Sequence, residues 1–252
     1  MKHIDMSPYI PFRTMGKTCN TRQISDKKIV WPRFELESFQ ADQYRVRLIK
    51  RTDIETVAEI WRTSYPELYG NEYGFVLYPE KIEQMVALYD NWESDKIDKH
   101  YCMIVTEEKA TSKIACVSLY KKYDLNLQVE LSLTGTHPDY RGKKLTAGNY
   151  VAFHRKIKES GAEYLTTFLE TWHDITQQAT CNTSGWKLAG IFPGNVTRWN
   201  GGQEEYRGCL VYMYKFLNEE YNTRAEEWTM APVVQELWDV LEKLNKKINP
   251  TE

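Results

Sequence analysis

The most informative stretch of the sequence is Leu127-Gln-Val-Glu-Leu-Ser-Leu-Thr-Gly-Thr-His-Pro-Asp-Tyr-Arg-Gly-Lys-Lys-Leu-Thr146. Its first ten residues alternate between apolar and polar side chains, which predicts a β-strand. The basic turn that follows leads into a predicted helix from about Leu145 to Ser160, which Gly161 ends. Backbone N–H groups at a helix start have no intrahelical partner, and the helix dipole is positive there. The stretch therefore indicates either a phosphate-binding turn or a solvated basic loop.

Regular elements lie on both sides of this unit. Alternating patterns predict further strands at residues 44–49, 101–106, 114–120, 164–170, 186–191 and 208–216. Helical spacing predicts a helix that Asp53 caps, with Ile54, Val57, Ala58 and Trp61 on one face, and further helices over residues 79–89 and 174–184. Pro79 in the first turn supports the second helix. The turns between the strands of residues 101–136 are short and polar, which favours an antiparallel meander.

Three regions follow from this pattern. Residues 1–43 contain several prolines and no sustained period, and their aromatic residues predict an extension packed on the body. Residues 44–217 carry the regular signals and are interpreted as one domain. Residues 218–252 form a tail whose apolar stripe between residues 231 and 248 predicts a helix. This helix either docks on its own chain or mediates a homodimer.

Composition excludes several classes of protein. The 252 residues carry 33 Lys plus Arg against 35 Asp plus Glu, so the overall basic charge of many nucleic-acid-binding proteins is absent. The 42% of hydrophobic residues can form a core, which excludes intrinsic disorder. The five cysteines are widely spaced, and neither a signal peptide nor a spanning apolar segment is evident. We therefore expect a cytoplasmic protein with no membrane partner.

Common catalytic and nucleotide motifs are missing. The sequence contains no GxxxxGK[ST] and no GxGxxG at a strand–helix junction. Its histidines show no HExxH-type spacing, and no GxSxG elbow is present. No metal site and no Ser–His hydrolase are predicted.

The order of elements, together with the motif that begins at Arg141, resembles the GNAT family of acyl-CoA-dependent N-acetyltransferases. The resemblance covers residues 44–217 and implies an α/β fold with a mixed, mostly antiparallel central sheet flanked by helices. That family's cofactor motif is R/Q-x-x-G-x-G/A. Arg141 takes its first position, whereas Lys144 and Thr146 replace the two small residues.

The resemblance implies acetyl-CoA as co-substrate. It assigns the pyrophosphate to the loop after the central strand, the thioester carbonyl to a backbone N–H of that strand, and the CoA arm to the helix near residue 174. The residues implied in cofactor binding are Leu133, Thr134, Arg141, Gly142, Lys143, Lys144, Leu145, Thr146 and Asp174.

Acyl transfer to an amine requires removal of the amine proton, stabilisation of the oxyanion and protonation of the thiolate. The resemblance points to Glu130 as the base, although the polar face of its strand is equally compatible with solvent. Glu170 is a second carboxylate near the acceptor, with His173 as an alternative base, or both belong to a solvated loop. Cys181 stands where many members have an acidic Tyr; the alternative is a small core residue.

The predicted function is direct transfer of an acetyl group to a primary amine of a small molecule or peptide. The carboxylates of Glu130, Glu170 and Asp174 favour a cationic amine. A GNAT-fold module that binds acyl-CoA or a peptide without catalysis is the alternative, which Lys144, Thr146 and Cys181 favour. A longer acyl-CoA or an aminoacyl-tRNA is a third possibility, and the net charge of -2 argues against the tRNA.

Overall fold

The structure is a computed structural model that describes residues 27–183, 185–222 and 230–248. The predictions for residues 1–26, including the expectation that they contain no signal peptide, and for Ser184 lie outside the described residues. The helices are α1 (Ile54–Ser64), α2 (Pro79–Met85), α3 (Trp92–Asp98), α4 (Thr146–Lys156), α5 (Asp174–Cys181) and α6 (Pro232–Ile248). The strands are β1 (Glu35–Phe39), β2 (Tyr44–Leu48), β3 (Val86–Ala87), β4 (Tyr101–Glu108), β5 (Ile114–Tyr123), β6 (Gln128–Thr136), β7 (Tyr164–Glu170), β8 (Lys187–Trp199) and β9 (Glu205–Phe216).

The strands form one sheet in the order β1-β2-β4-β5-β6-β7-β9-β8, and β3 adds to the side of β4. The pairs β3–β4 and β6–β7 are parallel, and the other pairs are antiparallel. Helix α4 makes the crossover that two neighbouring parallel strands require between β6 and β7. The predicted mixed, mostly antiparallel sheet with flanking helices is confirmed.

Both faces of the sheet are covered. Successive residues of β4 point to opposite sides: Ile104 joins a core with Trp31 and Phe153, whereas Met103 joins a core with Trp61 of α1. A strand buried on both faces shows a continuous apolar run rather than clean alternation. None of the described helices has both the length and the apolarity needed to cross a bilayer.

Several predicted boundaries are displaced, and strand pairing explains two of them. The helix predicted over residues 79–89 ends at Met85, because Val86 and Ala87 pair with Tyr101 and Cys102 at the start of β4. The strand predicted over residues 186–191 continues to Trp199, where it pairs with Glu205 of β9. In both cases pairing with a neighbouring strand sets the end of the element.

The structure also contains elements that the pattern did not predict. Helix α3 is one, and β1 is another, because β1 lies inside the region interpreted as an extension and pairs with β2. The side chains of Ile29, Trp31 and Phe34 just before β1 are at most 1% exposed. The described part of this region therefore contributes to both the sheet and the core.

Candidate active site

The sheet opens between β6 and β7. These strands pair from Gln128 with Tyr164 up to Leu131 with Thr167, and beyond that point they have no register partners in each other. Opposite β5, Leu119 pairs with Leu133 and Tyr120 pairs with Leu131, so Ser132 is the extra residue of a β-bulge. A bulge bends a strand. We call the opening the β6–β7 split; residues 132–136 of β6 and 168–170 of β7 flank it.

The backbone of Thr134 points into this split. The N–H of His137 donates to the carbonyl of Ala115 at 2.9 Å, which identifies a hydrogen-bonded pair of the β5–β6 ladder. Hydrogen-bonded and non-hydrogen-bonded pairs alternate, so Thr134 opposite Ser118 is a non-hydrogen-bonded position. Its N–H and carbonyl therefore face away from β5, and the Tyr65 hydroxyl donates to that carbonyl at 2.9 Å.

Leu133 occupies the other kind of position. It lies opposite Leu119 in a hydrogen-bonded pair, so its N–H points toward β5. Its side chain packs against the core beneath α1. Of the two residues that the resemblance implied, Thr134 alone directs its N–H toward the split.

The turn between β6 and α4 has an unusual backbone. Gly142 and Lys144 both have positive φ angles, +80° and +57°. Glycine adopts this conformation without a steric penalty, whereas lysine rarely does, and Lys144 stands where the GNAT motif has glycine. Among the described residues, none accepts a hydrogen bond from the N–H groups of Lys144, Leu145 or Thr146. Unpaired N–H groups at the start of α4 suit a phosphate group.

Two side chains fix this turn in place. Leu145 is 1% exposed and anchors the start of α4, and the Gln40 side chain donates to the carbonyl of Lys143 at 2.8 Å. The Arg141 guanidinium contacts the carbonyls of Thr136 and Thr63, both at 3.4 Å. Thr136, like Thr134, is a non-hydrogen-bonded position facing away from β5. Arg141 therefore lies on the side of β6 that faces the split.

Glu130 is buried beside the closed end of the split. It is 4% exposed, and hydroxyl groups surround its carboxylate: Tyr123 and Ser132 donate at 2.9 Å each, and Tyr73 donates as well. Burial and the negative charge of Glu130 raise the pKa of Tyr123 to about 12, so this hydroxyl keeps its proton. Lys121 lies opposite Glu130 on β5 but is ion-paired with Glu72.

Glu170 ends β7 and is ion-paired. Its carboxylate Oε1 lies 2.5 Å from a guanidinium nitrogen of Arg198, and its side chain is 15% exposed. His173 is exposed, and its Nδ1 lies 2.7 Å from the hydroxyl of Thr176. Asp174, in the first turn of α5, is exposed and accepts from Gln178 at 3.3 Å. These acidic residues therefore differ sharply in their surroundings.

Cys181 lies at the end of α5 and packs against the core that contains Trp31 and Phe153. Burial raises the pKa of its thiol, so the sulfur stays protonated at neutral pH. Within the described chain, no hydrogen bond connects this thiol with Glu130 or with Glu170.

Sequence reasoning did not assign Tyr65, Glu67 or Arg198 to the site, although it left open whether Tyr65 packs in the core or lines a slot. Burial, followed by the charges of Glu67 and Glu170, raises the pKa of Tyr65 to about 12. Burial and the charge of Glu170 raise the pKa of Glu67, and Arg198 opposes this shift. Tyr65, Glu67, Glu170 and Arg198 therefore form one electrostatic cluster beside Thr134. The aromatic character of residues 61–78 was the available signal, but it did not distinguish packing from a site.

A separate cleft of about 640 Å³ lies near the start of α1. A chain of ion pairs lines it: Arg45 and Arg47 both bind Glu107 at 2.5 Å, and Arg47 also binds Asp53 at 2.6 Å. Burial acts to raise the pKa of Glu107, but the two arginines outweigh it and hold that pKa below its usual value. None of the predicted site residues lines this cleft.

Comparison with known proteins is informative only at the level of structure. Neither a protein-family model nor a curated protein sequence matches the chain. Among solved structures, it is similar to a ribosomal-protein-S5-alanine acetyltransferase from Vibrio fischeri, with a TM-score of 0.53 and 16% identity over 77% of this chain and 99% of that one. A mutant of the spermidine N-acetyltransferase SpeG from Vibrio cholerae gives a TM-score of 0.52 and 13% identity, covering 73% and 99% of the two chains.

A third similar structure is a putative phosphinothricin N-acetyltransferase, with a TM-score of 0.50 and 17% identity over 69% of this chain and 99% of that one. The chain therefore has the fold of the N-acetyltransferases. More particularly, this is the GNAT fold, and the fold that the sequence resemblance implied is confirmed.

Proposed function

We propose that this protein transfers an acetyl group from acetyl-CoA to a primary amine of a small molecule or peptide, without a covalent enzyme intermediate. The observation that carries the proposal is the β6–β7 split, with the Thr134 N–H directed into it next to a turn that has unpaired N–H groups. An opening of this kind gives an extended acyl donor access to backbone donors inside a sheet.

Acetyl-CoA supplies the activated acetyl group and a thiolate leaving group. On the protein side, Arg141 and the unpaired N–H groups of residues 144–146 bind the pyrophosphate, because Arg141 carries a positive charge and the start of α4 is the positive end of the helix dipole. Asp174 hydrogen-bonds the pantetheine arm. The Thr134 N–H donates to the developing oxyanion of the thioester carbonyl, a role in which a preorganised donor stabilises the transition state most.

The amine loses its proton to Glu130. Because Glu130 is 4% exposed, the proton reaches it through a water or through the Ser132 hydroxyl, which donates to Glu130 at 2.9 Å. The amine nitrogen then attacks the carbonyl carbon, the C–S bond breaks, and the thiolate takes a proton. Cys181 is the first candidate acid. Tyr65 is a second, because its hydroxyl already lies in the split.

The acceptor is a cationic amine. Two carboxylates, Glu67 and Glu170, lie beside the split, and Arg198 pairs with only one of them. Glu67 is therefore available to attract an ammonium group. Spermidine, the substrate in the name of one similar structure, belongs to this chemical class and is a suitable first test substrate.

The experiment is titration with CoA, acetyl-CoA and longer acyl-CoAs, followed by calorimetry and thermal unfolding. A ligand at a hundred times its Kd stabilises the fold by about 2.7 kcal/mol through mass action. Arg141→Gln should weaken binding, whereas Arg207→Gln, at an exposed arginine on β9, should not. Absence of any thermal shift with excess acetyl-CoA would remove the co-substrate assignment.

A GNAT-fold binding module without catalysis is the second candidate. Lys144, which has a left-handed backbone and replaces a motif glycine, favours the non-catalytic module. A side chain at this position leaves less room for the pyrophosphate to approach the backbone. Release of free thiol across a set of primary amines at mildly basic pH separates the two: the enzyme releases CoA, whereas the module binds acetyl-CoA without turnover.

A further inference from the structure

Helix α6 has two faces of different exposure. Leu241 and Asn245 are buried against the body, at 9% and 6% exposure, and the Asn245 amide exchanges two hydrogen bonds with the backbone of Leu188 in the edge strand β8. A neighbouring face of the helix is apolar yet open to solvent. Its members are Val233, Leu237, Val240 and Leu244, which are 71%, 59%, 53% and 38% exposed.

The spacing of these four residues is that of a helix–helix seam. They follow one another at intervals of four, three and four residues, as the a and d positions of a heptad do. A helix that only covers its own domain needs the buried face alone. We call the set of Val233, Leu237, Val240 and Leu244 the α6 seam.

Acidic and basic side chains are unevenly distributed along α6. Glu236, Asp239 and Glu242 lie in the first part of the helix, and Lys243, Lys246 and Lys247 lie in the last part. This order also complements the helix dipole, so it stabilises an isolated helix as well. The dipole, however, does not account for the exposed apolar seam. A second helix of the same sequence, running in the opposite direction, complements both the seam and the charges.

We propose that the α6 seam pairs with the α6 seam of a second copy of this chain, antiparallel about a two-fold axis. Leu237 then packs against the partner's Val240, and Val233 against the partner's Leu244. Glu236 and Lys243, which each precede a seam leucine, flank the interface, and Glu236 lies beside the partner's Lys243. Two-fold symmetry generates this contact twice. A parallel pair would instead align the two Glu236 side chains at the same level.

Charge reversal tests both the partner and its direction. Sedimentation across a wide concentration range should show a dimer for the wild-type chain. Glu236→Lys and Lys243→Glu should each weaken it by roughly tenfold, because both symmetry-related contacts change from attraction to repulsion. The double variant should regain wild-type association. A mixture of the two single variants should form heterodimers, since each chain then meets its opposite charge.

Lys246→Glu is the matched control, because it makes the same charge change at an exposed residue outside the seam. Circular dichroism of each variant checks that α6 still forms. A wild-type chain that stays monomeric at every concentration overturns the proposal and leaves the seam to a different occupant. Dimerisation that is unaffected by either single reversal overturns the antiparallel arrangement, and failure of the mixture to associate does the same.

Discussion

Glu107 and Glu130 are buried carboxylates on neighbouring parts of one sheet, with 1% and 4% exposure, yet their surroundings differ. Glu107 contacts two arginines at 2.5 Å, whereas Glu130 contacts three hydroxyl groups and forms no ion pair among the described residues. Adjacent guanidinium groups hold a carboxylate in its charged form. Hydroxyl groups stabilise the charge less and can relay a proton.

This contrast separates a structural carboxylate from a candidate base. A base must take up a proton during turnover and release it afterwards, which the arginine pair around Glu107 opposes. Glu107 also lies in the cleft near the start of α1, whereas Glu130 lies one residue before the point where β6 and β7 part. The two residues therefore form a natural matched pair for mutation.

Glu130→Gln should have the largest effect on activity. If Glu130 is the general base, turnover in the acetyl-CoA assay should fall by on the order of 100-fold, while acetyl-CoA binding and thermal stability change little. Glu107→Gln should leave the turnover of the folded enzyme close to that of the wild type. An unchanged rate for Glu130→Gln would end its assignment as base and turn attention to Glu67.

Glu107→Gln should instead reduce stability, by about 2 kcal/mol, since a buried carboxylate with two cationic partners is lost while Arg47 keeps Asp53. The pKa of Glu107 is lowered in the folded state, so its stabilisation is complete above the usual value of 4.5 and is lost as the pH falls through the folded pKa. Urea unfolding should therefore show a constant difference between wild type and variant from pH 7 to about pH 5, narrowing below. A difference that widens in acid contradicts this linkage.

The sequence predicts much of the fold but only part of the difference between the surroundings of Glu107 and Glu130. Strands β4 to β7 and helices α1, α4 and α5 follow from local periodicity and from terminal residues such as Asp53 and Gly161, which act over a few positions. The partners of Glu107 and Glu130 do not, because Arg47 and Tyr73 lie about 60 positions away in the chain. Likewise, only the register of β6 against β5 distinguishes Thr134 from Leu133 as the donor.

The hydroxyl groups of Tyr73, Tyr123 and Ser132, which donate to Glu130, can be removed one at a time. Tyr123→Phe removes a hydroxyl that donates to the Glu130 carboxylate at 2.9 Å, and turnover in the acetyl-CoA assay should fall by roughly tenfold, because a hydrogen bond to a charged group contributes about 1.5 kcal/mol. Tyr140→Phe is the control, since its hydroxyl donates at the same distance to Glu108 instead. An equal loss of rate in the two variants would show that the hydrogen bond to Glu130 is not what Tyr123 contributes to turnover.

His154 extends the comparison to a buried group that has neither an ion-pair partner nor a hydroxyl donor among the described residues. Its Nε2 is buried with no hydrogen-bond partner among the described residues, and burial, with Lys215 and Lys158, lowers its pKa to about 4. Below pH 6.5 the unfolded chain binds a proton that the folded chain excludes until about pH 4, so stability falls across this interval. Between pH 7 and pH 5, the free energy of unfolding of His154→Leu should therefore fall by about 2 kcal/mol less than that of the wild type, a difference of roughly 4–8 °C in Tm. His100→Gln, at an exposed histidine, controls for the loss of an imidazole, and equal pH dependence in all three proteins would refute the assignment.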